Sequence, residues 1–488
     1  MKPVSLPAVL LPLLARRCVL AGAPLLLAAC AVTAPPAQVD SQAPAAWQAA
    51  APHQASLTDL NAWWQSQGDP VLAQLIAAAQ AASPTVSAAR SRIFQARAQS
   101  VAASAALLPT LDAAASINRA SEQAQLPQAT TSQLGLQTTW EIDLFGARGA
   151  ERNAAQQRLA GTGALWHEAR VSVAAETANQ YYALRSCTAL LAVARQDAAS
   201  RKDTARLTDL TTQAGFQSPA NAALARASAA EGSSRVTQQQ AQCDLDIKAL
   251  VALTALPEAL LRQQLDTSAA AARGLGPVEI TALPAQLLAQ RPDVFNAERA
   301  VAAASAGVGS AEANRYPRLT MQGQVGIGNF RTGGENISAN GWTIGPLTLS
   351  VPVFDGGRRR ANVEAARAAY DDAVVNYRAV ARQAVREVEE ALVNLQSTAR
   401  RDADAKVALD GYRYSFRATE DLYKNGLASL LQLEDARRTR LNAENTLVTL
   451  ERERNAAWIA LYRAAGGGWS SAAPLPSLAS SPAASGNH

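Results

Sequence analysis

The sequence is poor in the residues that build catalytic and metal centres. Its 488 residues include three histidines and four cysteines, and aromatic residues make up 5% of the chain. The histidines at 53, 167 and 488 lie far apart, and no catalytic serine elbow, paired-cysteine spacing or phosphate-binding loop is present. We therefore predict that the protein is not an enzyme and has neither a cofactor nor a metal.

The chain also lacks a strong excess of charge of one sign. It has 45 Lys and Arg against 40 Asp and Glu, a formal net charge of +5. Residues 1–29 carry +3 of this charge and no acid, which leaves +2 on the remainder. A body so near neutrality has no electrostatic footprint for nucleic acid, so no nucleic-acid partner is predicted.

The first thirty residues have the pattern of a bacterial lipoprotein signal. Arg16-Arg17 precede an apolar stretch, and Leu27-Ala28-Ala29 stands directly before Cys30. A basic, an apolar and a small-residue segment in this order are typical of a secretory signal peptide. Cysteine in the first mature position predicts acylation of Cys30, by a diacylglyceryl group and a palmitate, which would hold the protein on a membrane. The alternative is a signal cut elsewhere, with Cys30 incidental.

No other stretch of the chain has about 18 consecutive apolar residues, so no transmembrane helix is predicted. The rest of the sequence reads as one unit present twice. Pro84 and Pro292 each open a helical stretch, two strand-like runs follow, and the long helical stretches after them break at Gly215 and Gly426. The offset between copies drifts only from 208 to 211, which predicts a duplicated helix–strand–strand–long helix–helix unit.

This organisation predicts five segments. They are a lipoprotein signal peptide (1–29), an acylated tether (30–60), a first repeat (61–270, strands near 110–145, hairpin tip near 215), a second repeat (271–468, strands near 318–354, tip near 426) and a disordered tail (469–488).

The strand-like runs alternate between apolar and polar residues. The apolar members are Leu134, Leu136, Trp140, Ile142 and Leu144 in one run and Leu319, Met321, Val325 and Ile327 in another. In the last run the alternation changes phase at Gly345-Pro346, which predicts a bulge. A period of two with a polar second face indicates a sheet that is apolar on one side and wet on the other.

Two architectures fit such a sheet. The strands would either lie as hairpins on a soluble core or face lipid as transmembrane strands of a barrel. Four strands cannot close a barrel, since about eight are the minimum, whereas three copies would supply twelve.

The helical stretches 146–214 and 356–425 contain no proline and would each run about 100 Å as a helix. Val385, Val388, Leu392 and Leu395 have the spacing of a coiled-coil seam. An ordinary two-stranded hairpin and a helix wall around a tube both remain open.

Cysteine positions favour a hairpin. With Cys18 in the signal and Cys30 acylated, Cys187 and Cys243 remain, each 28 residues from Gly215. An antiparallel helix pair would bring them level, about 42 Å from the tip. In the oxidising space of an exported protein this predicts a disulfide, with two buried free thiols as the alternative.

Over about 63–466 the sequence resembles the TolC-like outer-membrane efflux factors, in their lipoprotein (NodT/OprM-type) branch. The resemblance rests on Leu27-Ala28-Ala29-Cys30, the duplication, Trp140-Glu141-Ile142-Asp143-Leu144-Phe145-Gly146, Val351-Pro352-Val353-Phe354-Asp355-Gly356-Gly357, Gly426-Leu427-Ala428-Ser429 and Asp435-Ala436-Arg437. It implies a mixed α and β membrane protein, a homotrimer with a 12-stranded outer-membrane β-barrel continued by a periplasmic α-helical barrel. Its implied function is the channel subunit of a tripartite efflux system, which passes small molecules from a periplasmic adaptor and an inner-membrane pump to the exterior.

The resemblance also implies roles for particular residues. It places adaptor-contacting tips at Gly215, Ser218, Gly426, Leu427 and Ser429, and a periplasmic gate at Tyr423 and Asp435. Gln432 stands where some relatives carry a second acidic residue. For Asp435 an ordinary solvated helix charge is the alternative. For the whole chain the alternatives are a secretion exit duct of the same fold and a periplasmic coiled-coil structural lipoprotein.

Overall fold

A computed structural model describes residues 32–49, 60, 63–121, 128–267, 275 and 287–471. The predicted signal peptide, Cys30 and residues 472–488 of the predicted tail lie outside the described residues. The chain forms two compact units. The first comprises residues up to Asp40, Ile93–Thr162 and Asn296–Tyr377, and the second comprises Ser41–Arg92, Gly163–Phe295 and the chain from Arg378 onward.

The described helices follow the predicted duplicated order. They are α1 (Trp63–Ser66), α2 (Pro70–Ala82), α3 (Pro84–Ala105), α4 (Ala147–Gln213), α5 (Pro219–Thr254) and α6 (Glu258–Thr267) in the first half, and α7 (Pro292–Ala313), α8 (Arg358–Lys424) and α9 (Leu430–Ala464) in the second. The strands are β1 (Thr110–Ala120), β2 (Ala129–Ile142), β3 (Arg318–Thr332) and β4 (Glu335–Ser350). Each half has an uninterrupted helix of 67 residues, α4 and α8, as the proline-free stretches predict.

The first unit contains a four-stranded antiparallel sheet in the order β1-β2-β3-β4. Leu134 pairs with Ile327 and Trp140 with Met321, so apolar residues of neighbouring strands share one face. Between Met321 and Gly323 the register with β4 shifts, because Gly345-Pro346 is left out of the pairing. The bulge predicted from the change of phase is confirmed.

The hairpins α4–α5 and α8–α9 turn at glycines with positive φ, 83° at Gly215 and 73° at Gly426. Side chains in the left-handed region are strained, so glycine suits these turns. Ser218 then caps α5 and Ser429 caps α9, each through its side-chain oxygen. In α9, the Ser429 backbone N–H donates to the Gln432 Oε1 atom, which completes a capping box.

The core of the second unit joins the α4–α5 and α8–α9 hairpins to α1 and α2. Trp63 stacks on Tyr462 at 4.9 Å between ring centroids, and Trp64 meets the same ring edge-on. Leu72, Leu250 and Leu392 are fully buried in the same cluster. Large aromatics near α1 and Leu side chains from the long helices therefore supply this unit's apolar stabilisation.

The predicted boundary of the disordered tail is wrong at Trp469. This side chain is buried and lies 5.0 Å from the Phe295 ring, between centroids. Burial of a large aromatic ring offsets the entropy of ordering the chain that carries it. Trp469 therefore packs in the second unit.

Part of the predicted tether lies against the body of the protein. Within the first unit, Ser305 and Tyr370 donate hydrogen bonds to the carbonyls of Pro35 and Pro36. In the second unit, Glu389 accepts from the backbone N–H groups of Gln48 and Ala49.

In the part of the chain that the structure covers, no single helix is both long and apolar enough to cross a membrane. The pair Pro70–Ala82 and Pro84–Ala105, bent by 53°, passes that criterion by length and composition alone.

Candidate functional site

One face of the sheet exposes a continuous apolar surface. Leu134, Leu136, Val325 and Ile327 form two adjacent register pairs, and all four side chains are exposed in the single chain. From Ile142 to Leu134 this face stays free of charge over eight residues, which span about 27 Å of strand. That length is close to the apolar band of about 25 Å that outer-membrane strands present to lipid.

The opposite face of the same strands is polar. Gln137 of β2 pairs with Gln324 of β3, which pairs with Thr343 of β4. Towards the helices, Glu141 lies on this face and forms a 3.0 Å ion pair with Arg148. The sheet therefore has one apolar and one polar face.

The two hairpin tips expose apolar side chains beside the turn glycines. Phe216 is 83% exposed and Leu427 75% exposed. Gly215, Ser218, Gly426 and Ser429 stand at the turns and caps already described, where they fix the path of the backbone. An exposed apolar tip on a rigid, capped turn is suited to contact another protein. That these residues contact an adaptor stays a prediction.

The two residues of the predicted gate lie in different environments. Tyr423 is buried beside Leu430 and Leu433, and its hydroxyl is 2.7 Å from the Thr208 Oγ1 atom of α4. The Asp435 side chain is 63% exposed and forms an ion pair with Arg438 one turn further along α9. Tyr423 therefore joins two helices of one chain, whereas Asp435 presents its carboxylate to solvent.

A buried ionic network next to Tyr423 was not predicted from the sequence. Arg201 of α4 makes ion pairs of 2.7 Å with Asp197 and 2.8 Å with Glu434 of α9. Arg437, fully buried, donates to Thr204 at 2.8 Å, and Arg440 lies 3.5 Å from Asp197. Burial lowers the pKa of Arg437.

Comparison of the two repeats gave a partial signal for this network. Ala225-Arg226 in the first repeat and Ala436-Arg437 in the second form a shared motif at the offset of 211, but the Arg226 side chain is 65% exposed and 3.8 Å from Asp209. The shared motif therefore marks a common helix position, whereas only the second copy buries its arginine between helices.

The hairpin α4–α5 also carries the two cysteines. The structure joins Cys187 and Cys243 by a disulfide, with Cα atoms 5.5 Å apart, so the residues do lie level across the hairpin. Oxidation in the native protein stays a prediction.

Two features of this chain are typical of TolC-like outer-membrane channels. They are a duplicated helical hairpin and a sheet with one apolar and one polar face. The family model described as "Outer membrane efflux protein" matches residues 75–256 and 283–467. The chain belongs to this family.

Curated relatives match over most of their length. The chain is 29% identical over 460 residues to the pyoverdine export outer membrane protein OpmQ of Pseudomonas putida, covering 92% of this chain and 96% of the relative. It is 28% identical over 414 residues to the toluene efflux pump outer membrane protein TtgI of P. putida, covering 82% and 86%. A solved structure of the outer-membrane channel OprN is 26% identical, with a TM-score of 0.78, and covers 90% of this chain and 99% of that chain.

The protein is therefore an outer-membrane channel component of an efflux system, and its family consists of transport proteins rather than enzymes.

Proposed function

We propose that three copies of this chain form one channel that carries small molecules across the outer membrane. Each chain contributes a sheet with β1 at one edge and β4 at the other. Since an unpaired strand edge is a template for pairing, β4 of one copy pairs with β1 of the next, and twelve strands close. The long hairpins then continue the channel as a helical barrel in the periplasm.

Acylation of Cys30 anchors each copy to the same membrane. Val32, two residues later, lines a cavity together with Phe145 and Gly146, at the end of β2. The Phe145 ring stacks there on Tyr316, 4.9 Å away, as expected for aromatic residues at a membrane interface.

The lower end of the channel receives its cargo from other proteins. The exposed Phe216 and Leu427, beside Gly215, Ser218, Gly426 and Ser429, form the contact surface for a periplasmic adaptor, which in turn binds an inner-membrane pump. The cargo is a class of small molecules, as the relatives named for toluene and pyoverdine export suggest.

Contacts between α4 and the α8–α9 hairpin hold the gate closed. Tyr423 bonds to Thr208, and Glu434 bonds to Arg201, so opening requires that these contacts break or move together with both helices. Three Asp435 carboxylates near one axis would repel each other and respond to protonation or a bound cation. Tyr423 therefore links two helices of one chain, whereas Asp435 places a charge in the opening.

The observation that carries the proposal is the exposed apolar face of a four-stranded sheet that cannot close alone. Outer-membrane fractions should contain a trimer that dissociates only on heating, and purified protein should conduct ions in planar bilayers. A deletion strain should accumulate toxic small molecules and export its proteins normally. A water-soluble monomer without conductance would contradict the channel, and loss of protein export instead would indicate a secretion duct.

A further inference from the structure

The polar face of the sheet carries two large apolar side chains at the end away from the helices, on β3 and β4. Phe330 of β3 and Ile337 of β4 are register partners, three or four residues from the Gly333-Gly334 turn. Their neighbours Asn329 and Ser338 are joined by a 3.0 Å side-chain hydrogen bond, which places this polar pair on the other face. By the alternation of strands, Phe330 and Ile337 lie on the face of Gln324.

These two side chains are much larger than those of a row further into the sheet. Four residues further into the sheet, Gly326 pairs with Gly135 and with Gly341, and Ala114 completes the row across β1. Phe330 and Ile337 are 41% and 55% exposed in the single chain, although both are large and apolar. On β3 and β4 the face therefore passes from glycines to large apolar side chains, and Thr131 of β2 and Asn118 of β1 complete the outer row.

We propose that Phe330 and Ile337 form an apolar constriction at the outer end of the lumen. The proposal rests on the three-copy barrel of the proposed function, in which the polar face lines the lumen and the turn at Gly333-Gly334 is extracellular. Three copies then place three Phe330 and three Ile337 side chains around one level.

The size of the constriction follows from barrel geometry. Twelve strands about 4.8 Å apart, tilted by about 40°, give a circumference of about 75 Å and a backbone diameter of about 24 Å. Phenylalanine reaches about 6 Å inward from each side, which leaves about 12 Å at Phe330, against about 20 Å at the glycine row. Small solutes pass this level, whereas bulky hydrophilic solutes in the medium are held back, because Phe330 and Ile337 narrow the opening and offer no hydrogen bonds to replace their water.

Cysteine labelling from outside the cell tests this constriction. Gln324→Cys places a thiol six residues inward from Phe330 on the same face. Two reagents are compared on intact cells, a small charged methanethiosulfonate and a maleimide on a sugar polymer about 15 Å across, which is wider than the proposed constriction and narrower than the glycine level. The small reagent should label this thiol, and the bulky reagent should label it slowly.

Adding Phe330→Ala and Ile337→Ala should raise the rate of bulky labelling by at least about tenfold and the rate of small labelling by less than about twofold. Phe330→Tyr with Ile337→Leu preserves the bulk and should leave both rates unchanged. Leu136→Ala, a truncation on the opposite face, should also change neither rate. Each variant is first shown to form heat-dissociable trimers.

Two different results would contradict the constriction alone and the proposed barrel. If the bulky reagent labels Gln324→Cys equally fast with and without Phe330 and Ile337, the constriction is wrong while the channel stands. If the small reagent labels Val325→Cys rather than Gln324→Cys, the polar face does not line the lumen, and the proposed barrel fails together with the constriction.

Discussion

At the scale of single residues, His167 shows how the surroundings of a histidine determine its protonation state. Its ring lies 4.8 Å from Trp166 and 6.4 Å from Trp469, between centroids, and its Nε2 atom is buried without a hydrogen-bond partner in the structure. Burial, with the nearby Arg170 charge, lowers the pKa of His167 to about 4. The imidazole is therefore neutral and acts as a packing group, as expected for a lone histidine on a long helix.

This gives a pH prediction for stability. Below the ordinary pKa of about 6.5 the unfolded chain binds a proton at His167, whereas the folded chain binds it only near pH 4, so stability falls as pH decreases across that window. The loss attributable to this residue is about 1–2 kcal/mol, less than the full pKa difference corresponds to, because part of the ring is exposed to solvent. Thermal unfolding of wild type and His167→Gln in detergent, followed by tryptophan fluorescence, should show a steeper acid dependence for wild type. Parallel curves between pH 6.5 and 4 would contradict it.

Asp435 supports a second prediction at this scale. Removal of its carboxylate by Asp435→Ala should raise single-channel conductance in planar bilayers, because three fewer charges would line the closed opening. Arg438→Gln is the matched control, since it removes the ion pair and keeps the carboxylate. Unchanged conductance in Asp435→Ala, or an equal rise in both variants, would remove this carboxylate from the gate.

The ionic network around Arg437 shows what the sequence could not predict. Charged residues spaced three and four apart on a helix are typical of a solvated face, and nothing in α9 alone distinguishes Arg437 from Arg438. Only the approach of α4 buries one and leaves the other exposed, which is a tertiary effect. In contrast, the glycine breaks of the tips depend on local backbone chemistry and were predicted from the sequence, whereas the serine caps that follow them were not.

At the scale of elements, we expect the predicted disulfide to stabilise the hairpin α4–α5. The disulfide joins residues 56 apart in sequence, and removal of such a link typically costs about 2–4 kcal/mol. Cys187→Ser with Cys243→Ser should therefore lower the denaturation midpoint of the trimer. The first measurement is mass spectrometry after alkylation without reductant, which should leave both cysteines unmodified.

Alkylation of both thiols in the native protein would show that they are free. Wild-type protein treated with reductant is the control for the double serine variant. The two should be nearly equal in stability, because both lack the disulfide.

The strands were the most predictable elements. Alternation fixed which side chains share a face, and the phase change at Gly345-Pro346 gave the bulge. The apolar pair of Phe330 and Ile337 was not predicted, because the register between β3 and β4 is needed to place two residues from different strands on one face. Trp469 was misassigned for a related reason, since its partner Phe295 is distant in sequence.

At the scale of the whole molecule, lipid anchoring and barrel insertion are separable. Cys30→Ala should abolish incorporation of labelled palmitate, while the trimer remains in the outer-membrane fraction, because the apolar face of twelve strands holds it there. Fractionation of cells grown with labelled fatty acid measures both effects. A variant that becomes soluble in the periplasm would show that the strands do not insert by themselves, whereas retained label would place the acyl group elsewhere.

The glycine pair in the sheet has a consequence for how such a protein changes over generations. A methyl group at Gly135 would lie 2.7 Å from the Val325 carbonyl oxygen, and one at Gly326 would lie 2.6 Å from that of Leu134. At these two positions almost every substitution is a backbone collision, so mutation supplies no usable variation there. Adaptation to new compounds must therefore draw on other positions of the sheet, and laboratory selections for altered export should recover no changes at these two glycines.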